Sequence, residues 1–313
     1  MGLLDRRLLF VTGKGGVGKT TVAAALARCA VTAGKRVLVC EVDAKGTLAT
    51  AFDAGPVGFD PVEIEPGLHL MTMDTEASLR EYLRLHLRLP LIGRLGPLAS
   101  VFDFVATAAP GVREILSVGK LAYEVREGRY DLVVVDAPSS GHVVAQLAAP
   151  RSVNDLVEFG LIRTQTDWML DILGDPARTA VVLVATPEEM PVAETIDLLG
   201  RIRSETDVAV GAVVVNRVLP ELFNRDEALA FDRLAGPGPW REALERTQGS
   251  AIGPVLDAAA LATRLRRGRT EHLDRLRSAT AGLPMVYLPF LFARPHGARA
   301  VHLLAESLAD ELT

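Results

Sequence analysis

The sequence predicts an α/β fold with a doubly wound, mostly parallel sheet and an inserted helical subdomain. Three observations indicate this class. Short runs rich in valine and leucine alternate with helix-forming stretches along most of the 313 residues. A glycine-rich phosphate-binding sequence, Gly13–Thr20, separates the first apolar run from the first helix-forming stretch. Two longer segments, residues 75–128 and 152–174, interrupt the alternation, and we interpret them as helical insertions within one domain covering residues 1–313.

The predicted core strands are short and mostly apolar, as expected for parallel strands that are buried on both faces. They cover Arg7–Val11, Arg36–Val42, Asp131–Val135, Thr179–Ala185, Val208–Val215 and Pro284–Leu288. The helix after the first strand is predicted from the alanine-rich segment Thr20–Arg28. Within the first insertion, the pattern of Leu83–Leu89 fits both a strand and a helix, and we favour the helix.

Composition narrows the functional classes. The formal net charge of −5 argues against a protein that binds nucleic acid through bulk electrostatics. The two cysteines, Cys29 and Cys40, do not form a C-x-x-C pair, so neither a zinc site nor a metalloid site is expected. The N-terminus has no leader-like apolar segment, and no apolar run reaches about 18 residues, which together predict a cytoplasmic protein.

The sequence Gly-Lys-Gly-Gly-Val-Gly-Lys-Thr at residues 13–20 has the composition of a loop that binds a nucleotide phosphate. Its glycines allow the backbone to form a concave nest of N–H groups, which a Cβ would obstruct. Lys19 is expected to reach the β- and γ-phosphates, and the Thr20 hydroxyl is expected to bind Mg²⁺. The residues expected to contact the nucleotide here are Gly13, Gly15, Gly16, Val17, Gly18, Lys19, Thr20 and Thr21. Lys14 is an additional lysine, for which a solvated side chain is the alternative interpretation.

Two acidic residues follow later predicted strands, at the positions where ligands bind in open α/β sheets. Asp136 ends a run of four apolar residues, and its carboxylate is expected to hold Mg²⁺. The residues Pro138–Gly141 are interpreted as a loop that senses the γ-phosphate, with Gly141 offering an unobstructed N–H. Asp43 follows the second strand; either it orients the attacking water, or a helix is capped at Asp43 or Thr47.

Together, the loop with Lys14, the carboxylate of Asp43 and the segment Asp136–His142 resemble the deviant Walker A ATPases of the arsenite-pump and tail-anchored-protein-targeting family. These are P-loop ATPases of the SIMIBI type, and the resemblance extends to bacterial members described as anion-transporting ATPases. The resemblance implies an ATPase that closes as a dimer around ATP and Mg²⁺. It also implies that Lys14 reaches across the interface and acts in catalysis with Lys19 and Asp43.

Two further segments resemble the same family in the same order. Asn216 follows a run of valines as the family's adenine-reading asparagine does, and an asparagine in a turn is the alternative. Pro289 and Phe290 resemble the residues that cover the adenine ring. The resemblance allows either a homodimer or a heterodimer with a related ATPase chain, and it allows a membrane protein or another client as a partner.

Two functions remain open at this stage. One is an ATPase that couples dimer closing to a partner or client, with anion or toxic-compound handling as one such role. The other is a nucleotide-gated binding module that needs a second related chain for hydrolysis. A partition or division-site ATPase is a weaker alternative, because the acidic C-terminus lacks a basic amphipathic tail. The basic run Arg264–Arg269 is interpreted as a charge-paired, solvated helix face rather than as a surface for an acidic partner or membrane.

Overall fold

An eight-stranded sheet organises the computed structural model, which describes residues 2–87, 111–157, 159–249, 251–292 and 297–312. The strands are β1 (Leu8–Gly13), β2 (Val37–Glu41), β3 (Val62–Glu65), β4 (Leu68–Thr72), β5 (Leu132–Asp136), β6 (Thr179–Ala185), β7 (Val210–Val218) and β8 (Met285–Pro289). Their order across the sheet is β3-β4-β2-β5-β1-β6-β7-β8, and every neighbouring pair except β3 and β4 is parallel. The predicted mostly parallel sheet is therefore confirmed.

Helices join these strands and cover both faces of the sheet. They are α1 (Lys19–Thr32), α2 (Thr47–Ala51), α3 (Thr75–Leu87), α4 (Val112–Glu127), α5 (Ser140–Leu156), α6 (Leu161–Leu173), α7 (Glu189–Glu205), α8 (Arg225–Ala235), α9 (Pro239–Gln248), α10 (Ile252–Ala279) and α11 (Gly297–Leu312). A short 3₁₀ turn, Leu3–Asp5, precedes β1. Each helix in the described ranges is too short or too polar to cross a lipid bilayer.

Strand residues alternate between two apolar cores, one on each face of the sheet. In β1, Leu8 and Phe10 belong to one core, and Leu9 and Val11 belong to the other. The first core includes side chains of α4, α5, α6 and α7, whereas the second includes side chains of α1 and α11. All four of these β1 residues are fully buried, which explains why the strand is a continuous apolar run in the sequence. Helices on both faces confirm the doubly wound arrangement.

The prediction missed the hairpin formed by β3 and β4. Its turn contains Pro66 and Gly67, and Gly67 has a φ of +80°, which favours glycine. β4 pairs in parallel with β2, and β3 is the antiparallel edge strand. The residues Val62–Glu65 alternate apolar and acidic side chains just before the proline–glycine turn, so the sequence did contain a hairpin signal.

The helical region beside the sheet differs in part from the prediction. The helix favoured for the first insertion is confirmed as α3 as far as Leu87, whereas residues 88–110 lie outside the described residues. Residues 152–156, at the start of the second predicted insertion, continue α5, a helix that begins at Ser140. α4 packs against α3, α5 and α6. That the whole chain is a single domain stays a prediction.

Candidate functional site

The loop after β1 is shaped by glycines that lie against neighbouring strands. A Cβ on Gly13 would lie 2.1 Å from the carbonyl oxygen of Val184 in β6. Gly18 has a φ of +94°, and a Cβ on it would lie 2.4 Å from the amide nitrogen of Asn216 in β7. Both positions therefore exclude a side chain, and the backbone between them lies close to the strand ends. The other predicted contact residues lie in this loop or in the first turn of α1, and they are Gly15, Gly16, Val17 and Thr21.

Asn216 supports the glycine loop from the sheet side. Its side chain is buried within β7, and its Nδ2 donates a 2.9 Å hydrogen bond to the carbonyl oxygen of Val17. Its Oδ1 accepts a 2.9 Å hydrogen bond from the backbone N–H of Arg217. The alternative of an asparagine in a turn is wrong, because the residue lies in a strand. A role in adenine recognition stays a prediction.

The two lysines of the loop point to different partners. Lys19 Nζ donates a hydrogen bond to the carbonyl oxygen of Lys14 at 3.3 Å, so its side chain folds back over the loop. Burial lowers the pKa of Lys19, and the carboxylates of Asp136 and Asp43 oppose this shift. Lys14 forms an ion pair with Glu194 of α7 in its own chain. The interpretation of Lys14 as a simply solvated lysine is therefore wrong.

Thr20 and Asp136 meet where α1 begins and β5 ends. Thr20 Oγ1 donates a hydrogen bond to Asp136 Oδ2 over 2.6 Å, and the Asp136 side chain is largely buried. Burial raises the pKa of Asp136 to about 6, although Thr20 and Lys19 favour its ionised form. A hydroxyl and a carboxylate side by side are hard oxygen ligands of the kind that Mg²⁺ prefers. Both predicted magnesium ligands therefore lie together and fit the ion chemically.

Glu41, which the sequence analysis did not single out, organises the loop after β2. Its side chain is buried, and its Oε1 accepts hydrogen bonds from the Thr47 N–H at 3.0 Å and the Thr47 hydroxyl at 2.6 Å. Its Oε2 accepts a 3.1 Å hydrogen bond from the N–H of Gly46, the residue that precedes α2. Glu41 is also the cross-strand neighbour of Asp136. The sequence signal for Glu41 was an acidic residue at the end of an apolar run, two residues before Asp43.

Asp43 has a different environment from Glu41. Its side chain is 40% exposed and pairs with Lys45 at 3.0 Å. The alternative interpretation, in which Asp43 or Thr47 caps the following helix, is wrong because the carboxylate of Glu41 binds the first N–H groups of α2. The predicted role of Asp43 in orienting water stays a prediction.

The segment after Asp136 is only partly a loop. α5 begins at Ser140, so Gly141 lies in the first turn of a helix and not in the predicted loop. Gly141 is exposed, and a Cβ there would contact nothing within 4 Å. N–H groups in the first turn of a helix have no partner within that helix. Thr12 Oγ1 donates a 2.8 Å hydrogen bond to the carbonyl oxygen of Pro138, which ties this segment to β1.

Pro289 and Phe290 lie at the end of β8. Pro289 is paired with Val218 of β7, and the Phe290 N–H donates a 2.9 Å hydrogen bond to the Val218 carbonyl oxygen. The rings of Phe290 and Phe292 meet edge to face, with centroids 5.1 Å apart. Val218 is two residues after Asn216 in β7, so Pro289 and Phe290 lie close to the strand end that carries Asn216. Their predicted contact with adenine is not tested by this arrangement.

Three of the four arginines in the basic run of α10 pair with acidic residues of the same chain. Arg267 approaches Asp232 at 3.4 Å, and Arg269 approaches Glu188 at 3.1 Å. Arg266 contacts Glu221 at 3.4 Å. These contacts favour the interpretation of the run as a charge-paired surface.

A separate cavity of about 300 Å³ lies in the helical region. Its wall is mostly apolar and is formed by α3, α4, α5 and α6, with Tyr123 and Trp168 among the lining residues. Lys120 contributes a buried charge that is balanced by Glu81 at 2.8 Å and Glu124 at 2.9 Å. Burial disfavours its charged form, but the hydrogen bonds to both glutamates outweigh this effect and raise the pKa of Lys120.

The fold and the site define a phosphate-loop α/β protein, with a glycine loop, a lysine, and a threonine–aspartate pair at the ends of parallel strands. The model of the anion-transporting ATPase family matches residues 6–170 and 161–233. Because these matches cover more than half of the 313 residues, the chain belongs to the anion-transporting ATPase family. The resemblance inferred from the sequence motifs is thereby confirmed at the level of the family.

Individual relatives agree with this assignment. ATPase BagA of Mycobacterium tuberculosis is 34% identical over 225 residues, which cover 68% of this chain and 66% of BagA. An arsenical pump-driving ATPase of Acidiphilium multivorum is 29% identical over 247 residues, which cover 71% of this chain and 41% of that protein. ATPase ASNA1 homolog 1 of Paramecium tetraurelia is 26% identical over 250 residues, which cover 67% of this chain and 74% of that relative. The chain thus spans about two thirds of BagA and less than half of the arsenical pump-driving ATPase.

Proposed function

We propose that this chain binds ATP with Mg²⁺ and hydrolyses it to ADP and phosphate as one half of a dimer. The observation that carries the proposal is the hydrogen bond between the Thr20 hydroxyl and the buried Asp136 carboxylate beside the glycine loop. Membership in a family of ATPases supports the same chemistry.

Each part of the site has a role in this proposal. The N–H groups of the loop and the start of α1 would bind the phosphates, and Lys19 would neutralise charge at the β- and γ-phosphates. Thr20 and Asp136 would hold Mg²⁺, which supplies further charge neutralisation to the phosphates when it is bound. Asp43 would orient the water that attacks the γ-phosphorus as the bond to ADP breaks.

The proposed dimer explains the second lysine. Lys14 would reach the phosphates bound by the partner chain and stabilise charge as the γ-phosphate departs. Asn216, Pro289 and Phe290 would contact the adenine. The N–H of the exposed Gly141 would bind the γ-phosphate and so couple the nucleotide to α5. Either a second copy of this chain or a related ATPase chain would serve as the partner.

The test is Mg²⁺-dependent phosphate release from ATP, measured with the purified chain over a wide range of protein concentrations. We expect specific activity to rise with concentration and then to saturate. Lys14→Ala should abolish most turnover and retain ATP binding, because the proposed contact is made to the other chain's nucleotide. Lys35→Ala is the matched control. Lys35 lies beyond the opposite end of α1, and its Nζ donates a hydrogen bond to the Leu4 carbonyl oxygen. Activity that is independent of concentration and of Lys14 would contradict the dimer.

A second candidate is a nucleotide-gated binding module that hydrolyses ATP poorly without a partner. The observation that favours it is the apolar cavity in the helical region. Leu156 and Phe159, which lie in sequence between the lining residues Val153 and Ile162, are each 83% exposed. Trp168 lines this cavity and is one of two tryptophans, so Trp240→Phe leaves it as the sole reporter. An apolar dye that quenches Trp168 emission only with ATP and Mg²⁺, together with negligible phosphate release, would support this candidate over the first.

A further inference from the structure

Lys14 is held by a carboxylate of its own chain. Its Nζ forms an ion pair with Oε1 of Glu194, which is 180 residues away in sequence. Glu194 lies in the second turn of α7, the helix that follows β6, and β6 is the strand against which Gly13 packs. The Lys14 and Glu194 side chains are 27% and 36% exposed, so the pair is within reach of a second molecule.

We propose that Glu194 is a latch that holds Lys14 within its own chain until a nucleotide-bound partner takes its place. This inference rests on the proposed function, in which Lys14 acts on the partner's nucleotide. The Lys14 ammonium is a compact charge on a flexible stem, so it can exchange one anionic partner for another. Glu194 and the partner's phosphates therefore compete for the same positive charge.

The energetics fit a latch that can open. A partly exposed ion pair shifts an equilibrium by about two- to fivefold, which is small compared with what several phosphate contacts can supply. Another acidic residue at the start of the same helix has a partner of its own. Glu188, just before α7, is paired with Arg269 of α10 at 3.1 Å. Glu194 is the carboxylate with which Lys14 pairs in its own chain.

The test measures how readily two chains associate in the presence of Mg²⁺ and a non-hydrolysable ATP analogue. Glu194→Gln keeps the shape of the side chain and removes its charge. We expect the protein concentration for half-maximal dimer, measured by sedimentation, to fall about four- to 25-fold in this variant, because two ion pairs, each contributing about two- to fivefold, open for every symmetric dimer. Asp197→Asn is the matched control, because this substitution removes the same charge from an exposed side chain about one turn further along α7. It should leave the concentration unchanged.

Dependence on Lys14 separates a latch from a merely structural role. In a Lys14→Ala background, Glu194→Gln should have no effect on association, whereas a structural role would persist there. Added salt should reduce the difference between wild type and Glu194→Gln, because the ion pair is partly exposed. Unchanged or weaker association of Glu194→Gln would overturn the latch while leaving the proposed function intact if Lys14→Ala still abolishes turnover. Wild-type turnover in Lys14→Ala would instead overturn the proposed function and the latch with it.

Discussion

Thr20 Oγ1 lies 2.6 Å from Asp136 Oδ2, although the two residues are 116 positions apart in the chain. The contact exists because β1 and β5 are adjacent parallel strands, so that the start of α1 and the end of β5 meet at the same edge of the sheet. This contact places the buried carboxylate of Asp136 beside the glycine loop. The chemistry proposed for this protein depends on that pairing.

The first prediction concerns the pH dependence contributed by Asp136. Burial raises its pKa from 3.8 to about 6, so between these values the folded protein binds a proton that the unfolded chain has released. Its contribution to the free energy of unfolding therefore falls as pH rises from about 4 to about 6, by up to about 3 kcal/mol. Asp136→Asn should remove this dependence and be the more stable protein at pH 7. Chemical denaturation of both proteins across this range measures the difference.

Parallel stability curves for the two proteins would show that Asp136 does not titrate in this range. Binding of Mg²⁺ should have the opposite dependence on pH, because the ion needs the ionised carboxylate. Its affinity should rise with pH through about 6 in the wild type. In Asp136→Asn the affinity should be low at every pH.

A second prediction concerns the backbone of the glycine loop. Gly18→Ala should destabilise the protein by about 1–3 kcal/mol, because φ is positive and the new Cβ would approach the Asn216 amide within 2.4 Å. Gly15→Ala is the matched control, since a Cβ there meets nothing within 4 Å. Thermal or urea unfolding of the two variants should separate them clearly, and equal destabilisation would mean that neither the positive φ of Gly18 nor its contact with Asn216 carries a cost.

A third prediction concerns Glu41. Glu41→Ala should cost about 1–3 kcal/mol, because the N–H groups of Gly46 and Thr47 lose the carboxylate to which they donate. The loop between β2 and α2 should then be cut more readily by protease under native conditions. Thr47→Val removes only the hydroxyl contact and should cost about 1 kcal/mol. Wild-type protease resistance in Glu41→Ala would show that other contacts hold this loop.

A fourth prediction distinguishes Asp43 from its neighbour. Asp43→Asn should leave the free energy of unfolding within about 0.5 kcal/mol of wild type, because the side chain is exposed and pairs with Lys45 at the surface. Turnover of ATP should nevertheless be lost while ATP binding and dimer formation persist. Single-turnover phosphate release measures the chemical step directly. A variant that hydrolyses ATP at the wild-type rate would remove Asp43 from the proposed mechanism.

Local sequence patterns were sufficient for the main elements of the fold and for part of the site. The apolar runs of β1, β5 and β6 identified strands because both of their faces are buried, which leaves no polar alternation. The glycine loop was recognisable because its backbone excludes side chains at Gly13 and Gly18. Asp136 was recognisable because it ends an apolar run. In each case the physical requirement acts on residues that are close together in the chain.

The partners of these residues were decided by tertiary structure. Glu41, and not Asp43, binds the start of α2, because burial of the Glu41 side chain directs its carboxylate to the loop. Lys14 meets Glu194 across 180 residues, and Asn216 meets Val17 across 199. The order of the strands determines which of their ends are neighbours, and that order brings together strands that are far apart in the sequence. A motif therefore identifies a reactive group, whereas the packed sheet determines which side chain it touches.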